Sequence, residues 1–249
     1  MRRSAPYLLL LGLSCHTGMT LAAPSADFVD VGVLSDVVFA AWAAGDGDQV
    51  AVQLHCIASA DTSKPNPAPK DQASQYPYNF RISDLGAPAG YYLYLNGDDT
   101  ATGNARVAVQ FQHRDVLEGT GFELLSDGGY DIHPHLGQFK NCSNGNNSEV
   151  TVTLNSTDLS VARGGTYTGS FRAEIRGGGT GTMTASVDFQ VSITIASQVR
   201  ISALDNVDLG GWMGVGGLTA TETFCVYSNN AAAGYSITIS SPGSPPKRS

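Results

Sequence analysis

Val187-Asp-Phe-Gln-Val-Ser-Ile-Thr-Ile195 alternates apolar and polar side chains at every step. Successive side chains of an extended chain point to opposite faces, so this stretch reads as a strand with one buried face. The alternation recurs in Val107, Val109 and Phe111, with Arg106, Gln110 and Gln112 opposite, in Val150, Val152 and Leu154, and in Phe171, Ala173 and Ile175. Turn chemistry separates these runs at Asn96-Gly97, Ser126-Asp127-Gly128-Gly129, Asn144-Gly145, Gly164-Gly165 and Gly177-Gly178-Gly179. Helical spacing is nearly absent. Short strands divided by regular turns predict an all-β chain with an immunoglobulin-like sandwich.

One phrase occurs twice. Val33 to Ser59 contains VLSDVVFAAW and LHCIAS, and Ala203 to Ser228 contains ALDNVDLGGW and TFCVYS. Leu34, Val37, Phe39, Trp42, Cys56 and Ser59 thus match Leu204, Val207, Leu209, Trp212, Cys225 and Ser228. A period of about 170 residues is too long for a solenoid and implies two tandem domains of one type. Trp42 and Trp212 share a repeat position, so both are expected in domain cores. Val199 and Ile201 follow the Met183 to Ile195 strand without a Pro or Gly linker, which predicts close coupling of the two domains. After Cys225 one more strand is expected at Tyr235 to Ile239, followed by a Pro-rich basic tail, disordered from about 241. That ending reads as a truncated or frameshifted second domain, the alternative being an ordinary disordered terminus.

The 249 residues are 42% apolar with a net charge of −8, enough for a core and too acidic for a nucleic-acid-binding face. Residues 1–22 have the form of a secretory signal: Arg2-Arg3, an apolar Tyr7 to Leu13, and Leu21 between small residues Thr20 and Ala22. Its loss would leave 12 Lys and Arg against 22 Asp and Glu, or −10. No stretch approaches the ~20 apolar residues of a membrane-spanning helix. Export leaves Cys56, Cys142 and Cys225. Because Cys56 and Cys225 are repeat equivalents, each needs its own later partner. Cys142 serves Cys56, and Cys225 stays an unpaired thiol.

Chemistry-bearing residues are sparse. Asp131-Ile-His133-Pro-His135 brings two imidazoles near each other, but a third metal ligand is not evident, so the stretch reads as a polar loop with no metal. Arg176 to Thr182 is glycine-rich yet joins two strand patterns, as a hairpin loop does. Asp98, Asp99, Asp115 and Glu118 form no acid–base pair, and no nucleophile elbow occurs, so no enzyme and no cofactor are expected. Tyr91 and Tyr92 are adjacent, so one must face outward. With Tyr94 nearby, they are a candidate adhesive surface. The Pro-rich segment Ser63 to Tyr78, with Tyr76 and Tyr78, is expected as a surface loop and is the other candidate.

The segment VRISALDNVDLGGWMGVGGLTATETFCVYSNNAAAGYSITIS resembles the opening of the spore coat protein U domain, the pilin-like domain of archaic chaperone–usher fimbriae. Residues 27–196 are more loosely similar, through the Trp42 and Cys56 phrase, Asn141-Cys142 and TDLSVARGGTYTGSFRAEI. The resemblance implies an incomplete sandwich, completed by a strand from a periplasmic chaperone and then from a neighbouring pilin subunit at the outer-membrane usher. Only Ala23 to Asp27 precede the first domain, which makes a poor donor strand and points to the tip. The resemblance therefore implies an adhesive sandwich at 23–197 and a truncated pilin-like domain at 198–249. It implies an exported, cell-surface tip adhesin, acting in attachment or biofilm formation on a surface or glycan receptor. A coat or shaft pilin, or a free-standing carbohydrate-binding sandwich, are the alternatives.

Overall fold

A computed structural model describes residues 28–61, 75–86, 89–177, 183–203, 211, 214–217, 221–230 and 236–238. Its strands are β1 (Phe28–Asp30), β2 (Val37–Val38), β3 (Gln49–His55), β4 (Ala58–Ala60), β5 (Pro77–Asp84), β6 (Tyr92–Leu95), β7 (Arg106–Ala108) and β8 (Gln110–Asp115). They continue with β9 (Glu123–Leu124), β10 (His135–Leu136), β11 (Ser148–Leu154), β12 (Gly165–Gly177), β13 (Met183–Ile195), β14 (Val199–Ser202) and β15 (Cys225–Ser228). The one α-helix among the described residues, α1 (Ser156–Val161), is short.

Two sheets enclose one core. The first runs β10-β5-β12-β13-β2, with β6 pairing β12 and β7. The second runs β3-β11-β8-β9. β12 and β13 form a 13-residue antiparallel ladder from Gly165 opposite Ile195 to Gly177 opposite Met183, as the alternating patterns require. The turn that joins them lies outside the described residues. Tyr78, Phe80, Ile82, Phe171, Ala173, Ile175, Phe189, Val191 and Ile193 of the first sheet meet Phe111, Val150, Val152 and Leu154 of the second. Such a layer, alternating inward on both sheets, is the immunoglobulin-like arrangement.

Cys56 and Cys142 are joined by a disulfide across 86 positions, with their Cα atoms 6.1 Å apart. It ties the turn after β3 to the segment before β11. Trp42 is buried in the core, and its indole N–H donates to the Gly47 carbonyl at 3.1 Å. Leu34 and Val37 are buried with it. Residues 1–22, Leu204, Val207, Leu209, Trp212 and the tail from 241 lie outside the described residues. Within the expected strand at 235–239, the described Ser236, Ile237 and Thr238 carry no strand.

The Pro-rich stretch departs from expectation at its end. Residues 62–74 are outside the described residues, but Pro77 and Tyr78 begin β5, which lies between β10 and β12 rather than in a surface loop. Pro77 is tolerated because it is the first residue of the strand and stands opposite Leu136 of the two-residue β10.

Candidate functional site: a bare ribbon and a buried polar end

The sequence repeat reappears as one strand register used twice. β1 and β4 pair with Val29 opposite Ser59, and Asp30 opposite Ala58. β14 and β15 pair with Val199 opposite Ser228, and Arg200 opposite Tyr227. Val199 follows Val29 by 170 positions and Ser228 follows Ser59 by 169, the offsets of the matched phrases. The next rung is kept too: Phe28 faces Ala60, while Asn229 N–H donates to the Gln198 carbonyl at 3.2 Å.

Surroundings separate the two copies. Ala58, Ser59 and Ala60 are buried, whereas of their counterparts Tyr227 is exposed, Ser228 half-buried and only Asn229 buried. Val29 is half-buried, whereas its counterpart Val199 is 58% exposed, as is Ile201 at 52%. Among the described residues no further strand pairs with β14 or β15. Exposed alternate apolar side chains and unpaired backbone groups are what strand addition requires. The ribbon is fixed to the first sandwich by Asn229. Its carboxamide accepts from Gln198 N–H at 2.7 Å and donates to the Ala196 carbonyl at 3.0 Å, and its own carbonyl accepts from Gly164 N–H. A hollow of about 370 Å³ between α1 and the ribbon is lined by Ser160, Val161, Arg200, Ile201, Ser202 and Tyr227. Cys225 is exposed on the ribbon with a free thiol, whereas its counterpart Cys56 is in the disulfide.

A second open edge belongs to β3. It lies at the border of its sheet, and Val50, Val52 and Leu54 point outward at 57, 56 and 55% exposure. Gln49, Ala51, Gln53 and His55 point inward, an inversion of the usual apolar-in order. Gln53 partly closes that border, accepting from Ser35 N–H at 2.8 Å and donating to the Ser35 carbonyl at 2.9 Å.

Three of the four candidate adhesive tyrosines are buried, and of the adjacent pair Tyr91 is the inward residue and Tyr92 the outer one. Tyr76, Tyr78 and Tyr91 are buried, and the Tyr91 hydroxyl donates to the Ile82 carbonyl at 2.8 Å. Tyr92 is half-buried, with the Arg106 guanidinium 4.1 Å above its ring. Burial of Tyr78 follows from the position of β5 inside the sheet, where alternate residues must face the core, whereas Tyr76, just before the strand, is buried where its N–H donates to the Ser59 carbonyl at 2.7 Å.

The stretch 131–135 also departs from the polar-loop reading. Asp131 and His135 are buried at one end of the sandwich beside His113 of β8. His113 Nδ1 lies 3.2 Å from Asp131 Oδ2, and His135 Nε2 lies 3.0 Å from the same oxygen. The other carboxylate oxygen, Oδ1, accepts from Phe80 N–H at 2.9 Å and Asn79 Nδ2 at 3.2 Å. His133, by contrast, is exposed and contacts Glu123. Burial opposes ionisation of Asp131, but the two imidazoles and the Phe80 N–H outweigh it and hold its pKa low. Burial pushes His113 down. For His135 burial acts the same way, yet Asp131, Asp115 and Glu118 outweigh it and raise the pKa.

His55, at the end of β3, is buried with no hydrogen bond to either ring nitrogen, and burial with neighbouring His113 pushes its pKa down to about 3. Its folded pKa is below the unfolded value, so the unfolded chain binds the extra proton as pH falls from 6.5 towards 3. Stability supplied by the neutral ring is lost through that window. His55→Leu should therefore gain about 2 kcal/mol on the parent between pH 7 and pH 5, by denaturant unfolding at both values. An unchanged difference at the two pH values would refute the assignment.

No family model matches the chain, and no curated protein does. Solved structures similar to it include CfaE, the adhesive subunit of CFA/I fimbria of enterotoxigenic Escherichia coli (8% identity, TM-score 0.37, 66% of this chain and 47% of that one). Another is the CsuC–CsuE chaperone–tip adhesion subunit pre-assembly complex from archaic chaperone–usher Csu pili of Acinetobacter baumannii (12%, 0.39, 74% and 65%). A third is the CupB6 tip adhesin of Pseudomonas aeruginosa (12%, 0.30, 70% and 44%). The chain thus spans between about half and two thirds of the length of these proteins. Among the described residues no helix is long and apolar enough to cross a membrane.

Proposed function

We propose that the chain is an exported subunit of a chaperone–usher fimbrium, of the tip-adhesin type, acting by binding rather than catalysis. Residues 23–197 are the adhesive sandwich, and the segment from 198 begins a pilin-like unit that a periplasmic chaperone, and then a neighbouring subunit, completes by strand addition at the usher. The observation that carries this reading is the register shared by β1–β4 and β14–β15, with Val199, Ile201 and Tyr227 exposed in the second copy and no further strand pairing with it among the described residues. The Cys56–Cys142 disulfide agrees with an oxidising, exported setting.

Co-expression in a periplasm with and without an archaic-type pilus chaperone tests the reading. Recovery of a stoichiometric complex is expected, with loss of capture when Ile201→Asp places a charge on the ribbon. A stable monomer that ignores the chaperone would overturn it.

The β3 border favours a second reading, in which the first sandwich itself accepts a strand, as a shaft subunit would. In that case Val52→Lys abolishes polymers while chaperone capture at the ribbon persists.

A further inference from the structure

We propose that His113, Asp131 and His135 form a binding site for a divalent transition cation of the zinc class, buried between the two sheets of the first sandwich. One ligand atom from each of the three residues lies within 4.8 Å of the others, and all three residues are buried. In a tetrahedral site with bonds of ~2.0–2.1 Å, neighbouring ligand atoms stand roughly 3.3 Å apart. The two nitrogen–oxygen separations here, 3.2 and 3.0 Å, are close to that edge. Two imidazole nitrogens and one carboxylate oxygen suit zinc, whereas calcium and magnesium take oxygen.

Two further features distinguish this cluster from a simple hydrogen-bonded triad. Neither ring nitrogen of His135 has a hydrogen bond, although the side chain is 1% exposed. Nε2 is near Asp131 without being aligned to donate to it, and a buried polar atom so placed costs about 1–3 kcal/mol. A cation on Nε2 removes that penalty. In addition, two of the three ligands are held from behind on their other atom. His113 Nε2 lies 3.0 Å from Ser148 Oγ, and Asp131 Oδ1 takes the Phe80 and Asn79 donors, while Glu118 Oε2 stands 3.6 Å from His135 Nδ1, outside hydrogen-bond reach. Partners of this kind orient metal ligands and set their tautomers. His113 belongs to β8 in one sheet and His135 to β10 in the other, so the ion would staple the sandwich together. Three protein ligands leave one tetrahedral vertex for a small exogenous ligand.

The test uses the full chain, disulfide intact, stripped with chelator and titrated with Zn²⁺ and with Co²⁺. One equivalent of each should bind. Zinc at a hundredfold excess over its dissociation constant should raise the thermal midpoint by roughly 5–10 °C. The cobalt form should show the intense visible bands of a tetrahedral centre. His135→Gln and His113→Gln should each abolish these signals, while His133→Ala, on the exposed neighbour, should keep them. The wild-type cobalt spectrum decides the matter even if the histidine variants fail to fold. No uptake of either ion by the folded chain, a weakly absorbing octahedral spectrum, or binding that survives His135→Gln would overturn the proposal.

Discussion

Replacing Cys56 and Cys142 together with alanine is expected to destabilise the first sandwich by about 4–5 kcal/mol, by the chain-entropy account of a closed loop of this length. The bond spans 86 positions, so its loss frees a large loop in the unfolded chain while leaving the core contacts intact. Urea unfolding of the parent and the double variant measures the difference directly. A change below about 1 kcal/mol would show that the unfolded chain keeps this region together without the bond. Backbone geometry adds a refinement. Cys142 has φ of 51°, a left-handed conformation that costs a residue with a Cβ about 1–2 kcal/mol. Cys142→Gly should therefore destabilise less than Cys142→Ala when each is combined with Cys56→Ala.

Phe111→Ala should cost about 3–5 kcal/mol, near the upper end of that range. Phe111 is fully buried at the centre of an aromatic group drawn from both sheets. Its ring meets Tyr91 at 4.8 Å and 82°, Phe171 at 4.9 Å and 69°, and Phe189 at 5.9 Å and 86°. Edge-to-face pairs of this kind add to the area term, and three walls of rigid rings cannot collapse into the cavity. Thermal unfolding should show a fall of roughly 6–20 °C. Phe122→Ala is the comparison: that ring is 42% exposed, and its neighbour is the Arg114 guanidinium at 4.4 Å. Similar losses for the two variants would mean that the aromatic group is not the centre of the core.

Much of the fold is legible in residue parity. Val187 to Ile195 alternates because β13 has one face on the core, and Phe171, Ala173 and Ile175 alternate because β12 pairs with it rung by rung. The buried polar end was within reach of the same rule. Val107, Val109 and Phe111 all point inward, and two more steps at the same parity bring His113 and Asp115 inside. Apolar residues mark that face, so the hydrophobic pattern stops where the residues become polar, although the pleat continues. That His135 and Asp131 meet His113 is a long-range fact. It depends on β10 pairing with β5, with His135 opposite Tyr78, in the sheet facing β8. The inverted order of β3, with valines outward and glutamines inward, and the inclusion of Pro77 and Tyr78 in a central strand also follow from neighbours in space. Local pattern carries no trace of those neighbours. The repeat is the opposite case, because its phrases carry the strand register with them.

Two ribbons with one register are also interchangeable. Val29 finds in Ser228 the partner that it has in Ser59, and Cys142 finds in Cys225 the thiol that stands where Cys56 does. A folding chain is thus exposed to threading its first strand through the wrong copy, an error displaced by 169 residues that local hydrogen bonding does not detect. A Cys142–Cys225 bond would be the covalent record of that mistake. The Cys56–Cys142 bond, once closed, removes Cys142 from the reach of Cys225 and so excludes that error.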